Sequence, residues 1–259
     1  MPNFKKPYFV IDFNKSICNF EILINDIPAF KSMDGGSLAS HYPINQFILE
    51  SGSQNISIRV LPLSGETVLR KDSYLKIKVH SFDSETQDYE NLNEVYQYET
   101  PSYEKQEYPT ILITDSFNAK VPFNLEGWKN SVVLENIPEI EKQAASFYKK
   151  LHQLAQKDTE SLFNFFSEKF AEVDEALYLK TDNKKEWQSF LNQLSQEDFV
   201  LQPFPHSIKT NLYGFGKVVE STSLVGNSIL YYKNKEGDEF SLPVLIHKKR
   251  KDSDFEIIR

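Results

Sequence analysis

Cysteine occurs once in this chain of 259 residues, at Cys18. A single thiol excludes an intrachain disulfide framework and a thiolate zinc site. Positive charge is also scarce: 29 lysines and arginines stand against 37 acids, giving a net charge of −8 and a sequence pI of about 5.3. A protein that grips phosphate backbones needs the opposite sign, so no nucleic acid partner is expected. The short basic run His247-Lys248-Lys249-Arg250-Lys251 reads as a solvated turn. There is no stretch of about 18 apolar residues of the kind a membrane-spanning helix requires, and no membrane association is expected. Behind Met1-Pro2-Asn3-Phe4-Lys5-Lys6 lies no apolar run of the leader type, which predicts a cytoplasmic protein.

Catalytic signatures are missing as well. The chain has no Gly-x-Ser-x-Gly, no Walker-type loop, no Gly-x-Gly-x-x-Gly and no EF-hand. Its five histidines are His41, His80, His152, His206 and His247, and no two are spaced as His-x-His or His-x-x-x-His. Neither a metal nor a cofactor is therefore expected. Cys18 shares a strand face with Phe20 and Ile22 and reads as a small buried hydrophobe.

Apolar material is ample, at 40% of residues, with 20 Phe and 13 Tyr to fill cores. Its period changes near residue 135. Before that point apolar residues alternate: Cys18, Phe20, Ile22 and Ile24; Ile56, Ile58 and Val60; Leu75, Ile77 and Val79; Ala119, Val121 and Phe123. Alternation means strands with one dry and one wet face. Asp34-Gly35-Gly36, Glu50-Ser51-Gly52 and Pro62-Leu63-Ser64-Gly65 supply turns between them. About seven short strands and no helix predict an antiparallel β-sandwich over residues 1–135.

After residue 135 the period is helical. Ile140, Ala144, Phe147, Tyr148, Leu151, Leu154 and Ala155 form one stripe, with Asn136 as the expected N-cap. A second helix, capped by Asp158, carries Leu162, Phe163, Phe165, Phe166, Phe170 and Val173 over an arc wide enough for two neighbours. A third follows Asp182 with Trp187, Phe190, Leu191 and Leu194. From residue 199 alternation returns, predicting strands at 199–202, 207–213, 216–223, 228–233, 240–247 and 254–258, with a hairpin turn at Asn234–Asp238 and a turn at Gly214-Phe215-Gly216. Helices followed by a strand meander predict an α+β domain over residues 136–259, its helices on a curved antiparallel sheet. The fold class of the whole is α+β.

The second half resembles the NTF2-like (cystatin-like, SnoaL-like) superfamily. The likeness rests on Phe147-Tyr148-Lys149-Lys150-Leu151, then Asp158, then Leu162-Phe163-Asn164-Phe165-Phe166, a third helix, and a closing hairpin ending in Asp254-Phe255-Glu256-Ile257-Ile258. It implies a cone-shaped pocket, into which Lys169, His206 and His247 are candidates to project. In the first half, Gly52-Ser53-Gln54-Asn55-Ile56-Ser57-Ile58-Arg59-Val60 is similar to a strand entry of galactose-binding-like and C2-like sandwiches. Members of such superfamilies include enzymes, ligand binders and interaction modules, so fold alone does not name the activity.

Charge layout points further. Residues 83–108 hold eight carboxylates against Lys105 alone, net −7, while residues 1–135 as a whole have 12 basic and 18 acidic residues. Tyrosines are interleaved with these acids. Tyrosine is enriched at interfaces and carboxylates steer basic partners, so Glu90, Glu94, Tyr96, Tyr98, Glu99 and Tyr103 are the candidate partner-binding residues. The expected function is non-catalytic: a cytoplasmic bacterial immunity-type protein that neutralises a protein toxin, with a basic protein as its partner. Two alternatives stand beside it, an NTF2-like small-molecule binder or enzyme and a carbohydrate- or surface-binding protein from a secreted precursor.

Overall fold

The computed structural model describes residues 4–86, 91–102 and 107–259. Over those residues it is a sheet-rich mixed fold with four antiparallel sheets and three α-helices. The chain divides into two compact units, residues 1–125 with 176–178, and residues 126–175 with 179–259.

In the first unit, eight strands form two four-stranded sheets. They are β1 (Pro7–Ser16), β2 (Asn19–Ile24), β3 (Ile27–Ser32), β4 (Leu38–Pro43), β5 (Gly52–Leu61), β6 (Tyr74–Asp83), β7 (Asn93–Glu99) and β8 (Ile111–Ala119). One sheet has the order β4-β1-β6-β7 and the other β3-β2-β5-β8. Their inward rows meet as in a sandwich: Phe13 of β1 lies 5.4 Å from Phe20 of β2, and Phe9 lies 6.2 Å from Phe117 of β8. Phe20, Ile22, Ile56, Ile58, Leu75, Ile77 and Val79 are all buried with them. Each such side chain removed from water contributes roughly 1.5–3 kcal/mol. The β2–β3 hairpin turns on Asn25 and Asp26, both at positive φ (51° and 62°), the pairing whose twist matches its flanking strands.

Two polar side chains lock this unit. Lys15, on the inward row of β1, is fully buried; its Nζ donates to the Cys18 carbonyl at 3.1 Å and pairs with Asp34. Asn45, also fully buried, sits in a 3-10 turn over Asn45–Phe47. It accepts from the Phe9 amide at 2.6 Å and donates to the carbonyls of Pro7 and Ala176, each at 2.9 Å. The start of β1 is thereby fixed by side-chain as well as ladder hydrogen bonds.

The second unit contains α1 (Ile140–Lys157), α2 (Thr159–Leu177) up to Glu175, and α3 (Asn183–Gln196). Seven strands follow: β9 (Val200–Leu201), β10 (Ile208–Tyr213), β11 (Val218–Ser223), β12 (Leu230–Lys233), β13 (Glu239–Leu242), β14 (Ile246–His247) and β15 (Glu256–Ile257). They form sheets β10-β11-β14-β15 and β13-β12-β9. Phe163, Phe166, Phe170 and Phe190 surround the Trp187 ring with centroids 5.5–6.2 Å away. Tyr148 of α1 is buried, and its hydroxyl donates to the Val244 carbonyl at 2.7 Å, with the Val219 carbonyl at 3.2 Å.

Several expectations are corrected. α1 begins at Ile140, not beside Asn136; Glu139 in the left-handed region occupies the cap, and no side chain bonds there. The strand expected over 240–247 breaks into β13 and β14 around Pro243, which has no N–H for a ladder. Ala119 ends β8, and Val121 and Phe123 are buried beyond it in irregular chain, where the Val121 amide bonds the Ser51 hydroxyl at 2.9 Å. Among the described residues the first unit has eight strands where about seven were expected, and β1, β3, β4 and β7 were not among the alternating rows singled out. Asp158 and Asp182 do cap their helices, accepting from the amides of Ser161 at 2.9 Å and Lys185 at 3.1 Å.

Candidate functional site

The outer face of the β4-β1-β6-β7 sheet is not a plain polar surface. Strand alternation turns Phe9, Ile11 and Phe13 of β1 inward and leaves Tyr8, Val10 and Asp12 outward. Register then sets their neighbours. Tyr8 lies opposite Phe82, Val10 lies opposite both His80 and Pro43, and Asp12 lies opposite both His41 and Lys78. Such cross-strand neighbours are in direct side-chain reach.

These side chains line a cavity of about 460 Å³, completed by Ser84 and Leu92 on the chain leaving β6 and entering β7. Its wall is aromatic and aliphatic: the Tyr8 and Phe82 rings stand 5.4 Å apart and tilted by 41°. Its polar groups converge from three strands. His80 is buried, and its Nδ1 lies 3.3 Å from Oδ2 of Asp12, whose side chain is 47% exposed. His41 stands exposed on the far side of Asp12. A bulge in the β6–β7 pairing falls between Val79 and His80, where Val79 faces Tyr96 and His80 faces Glu94. Bulges of this kind re-aim side chains and are frequent beside functional sites.

The chain beside the cavity is held in place. The Asp83 carboxylate accepts from the amides of Lys5 at 2.8 Å and of Lys6 and Glu85 at 3.1 Å, and the Ser84 amide donates to the Lys6 carbonyl at 2.9 Å. Burial opposes the charged form of Asp83, but those three amides prevail and hold its carboxyl below the usual range.

The candidate partner-binding residues fall into two groups. Tyr96 and Tyr98 pair with the inward Val79 and Ile77 and are half-buried at the edge of the core. Burial, and then the nearby Asp115 charge, push the Tyr96 hydroxyl up to about 12. Glu94 and Glu99 face outward, exposed, on the same surface as the cavity. They pair with Lys78 at 2.6 Å and Lys76 at 2.8 Å. Glu90 and Tyr103 lie outside the described residues.

In the second unit the three pocket candidates differ in setting, although the Arg259 charge acts on both His247 and Lys169. His206 is exposed in a bend before β10. His247 in β14 is 1% exposed; its Nδ1 lies 2.6 Å from the Ser131 hydroxyl, and its Nε2 is buried with no partner among the described residues. Burial, opposed by Glu256, holds its imidazole below the ordinary value. Lys169 is half-buried on α2, with its ammonium 3.0 Å from the Pro243 carbonyl and 5.5 Å from the Phe166 ring centre. Burial, and then the Arg259 charge, lower it to about 8.

Reading the sequence alone missed the Asp12, His41 and His80 group. The one available signal was the alternation Tyr8, Val10, Asp12 against Phe9, Ile11, Phe13, which marks β1 as carrying an outward apolar row. Among the described residues, no group of three histidine, cysteine or acidic side chains is arranged to hold a metal ion, and no helix is long and apolar enough to cross a membrane. Comparison with protein-family models, with curated proteins and with solved structures gives no match.

Proposed function

We propose that this chain is a non-catalytic binding protein that captures a protein partner on the outer face of the β4-β1-β6-β7 sheet, with the cavity receiving a partner side chain. The observation that carries this reading is the cavity itself: about 460 Å³, walled by Tyr8 and Phe82 and furnished with the Asp12–His80 pair. Concave apolar sites with a few convergent polar groups are where proteins bind. The flanking surface, with Lys76–Glu99 and Lys78–Glu94 pairs, has the make-up of a polar rim around such a pocket.

In this reading the protein is of the immunity type, a stoichiometric cytoplasmic neutraliser of a toxin. The second unit is an NTF2-like α+β domain, for which three helices followed by antiparallel strands are the support.

The test is retention of a partner from extract of the source cell on immobilised protein, followed by reconstitution of the purified pair. Phe82→Asp puts a carboxylate in the aromatic wall and is expected to release the partner. Leu112→Asp, an exposed site on β8 of the other sheet, is expected to retain it. Equal retention by both variants would remove the cavity from the interaction.

A further inference from the structure

We infer that the cavity on the β4-β1-β6-β7 sheet is a receptor for a basic side chain, arginine or lysine, presented by a protein partner; this rests on the binding reading above. Charge decides the sign of the occupant. Among the described lining residues Asp12 is the carboxylate, and neither lysine nor arginine lines the cavity. Lys78 faces Asp12 across the β1–β6 pair, but its ammonium lies 2.6 Å from Glu94 of β7. Asp12, Glu94 and Lys78 together thus leave one negative charge, and the 47% exposed Asp12 carboxylate is the part a ligand can reach. His80 at 3.3 Å and exposed His41 are the titratable groups facing Asp12 from β6 and β4.

The wall decides the shape of the occupant. Tyr8 and Phe82 line the cavity with aromatic rings, and Val10 lies between them and Asp12 along β1. A ring face attracts a cation, and an aliphatic stem lies well on apolar side chains while its charged head reaches a polar partner. Basic side chains combine stem and cation in that order. An anionic head would instead meet Asp12, and a neutral apolar group would desolvate the carboxylate without bringing it an opposite charge. The net charge of −8 on the whole chain adds long-range attraction for a basic partner.

The test uses the full chain and three blocked amino acids at 0.15 M salt: N-acetylarginine amide, N-acetylcitrulline amide, which has nearly the same shape without the charge, and N-acetylglutamate amide. Binding is read from the backbone amide resonances of Val10, Asp12 and His80. The arginine probe is expected to shift them saturably and the citrulline probe to bind at least tenfold more weakly. Asp12→Asn, with its fold checked by the rest of the amide spectrum, is expected to erase that difference. Tyr8→Leu, which keeps apolar bulk but loses the ring face, is expected to weaken the arginine probe about two- to fivefold. Equal binding of citrulline, or tighter binding of glutamate, overturns the cationic assignment and leaves the cavity as a binding site. Silence of all three probes overturns it too; the binding reading then falls only if Phe82→Asp also retains the partner.

Discussion

His80 and His247 are both buried imidazoles on antiparallel strands, yet they stand in opposite circumstances. His80 opens onto a cavity, 3.3 Å from a half-exposed carboxylate and beside a pair of aromatic rings. His247 is sealed at 1% exposure, with the Ser131 hydroxyl at 2.6 Å on one nitrogen. Burial of a histidine therefore does not mark a site. What marks it is whether the site is open to a ligand: Nε2 of His247 has no partner among the described residues, yet it is sealed. In the first unit polar groups of β1, β4 and β6 gather around a cavity on an outer sheet face. In the second, Lys169, Lys248 and Arg259 direct their charges to a carbonyl, an amide and a carboxylate of their own unit.

The largest effect is expected in the scaffold of the cavity. Asn45→Ala would strand the Phe9 amide and the Ala176 carbonyl, while the Pro7 carbonyl keeps the Tyr178 hydroxyl at 3.1 Å. Each buried polar group left unsatisfied costs about 1–3 kcal/mol. A loss of about 3 kcal/mol or more is expected in urea unfolding. A loss under about 1 kcal/mol would mean that the start of β1 is fixed by its ladder alone.

The sealed histidine makes the next prediction. Because burial lowers the folded-state value of His247 below its ordinary 6.5, the unfolded chain takes up the proton first as pH falls. Its contribution to stability is therefore complete above about pH 6.5 and is lost from there down to the folded value. The slope contributed by one such proton is at most about 1.4 kcal/mol per pH unit. Melting curves between pH 7.5 and 5 should show a shallower pH dependence for His247→Gln than for the parent. Identical slopes would place a hydrated, freely titrating imidazole there and erase the contrast with His80.

Smaller effects are expected on the open face. Tyr8→Leu, which keeps apolar bulk, should cost about 1 kcal/mol of stability, the worth of one aromatic pair, while weakening partner binding. Loss of folding together with binding would make Tyr8 a scaffold residue. The smallest effect concerns Cys18, whose thiol is buried and pushed up to about 11, by burial first and against the charge of Lys15. It should stay unmodified by a disulfide reagent at pH 8 in the native protein and react fully in denaturant. Rapid native reaction would show that the core beside Lys15 opens.

Much of the scaffold was legible in the sequence. Period-2 rows such as Ile56, Ile58 and Val60 and the helical stripes around Tyr148 and Trp187 report burial directly, because a side chain's face follows from its spacing. Boundaries were less legible where one residue decides: Pro243 splits a strand, and Glu139 in the left-handed region delays a helix. The acidic tyrosine-rich segment was visible as composition, but its two residue types face opposite ways on β7, with Tyr96 and Tyr98 toward the core and Glu94 and Glu99 outward. Composition carries no face.

The sequence sufficed to set out two differently patterned regions, a lone cysteine on a buried strand face, and an acidic chain. That Asp12, His41 and His80 share a cavity is a consequence of the tertiary fold. They come from β1, β4 and β6, and their meeting depends on strand order and register. Pairing between distant strands is a long-range choice, and the spacing within any one segment does not encode it.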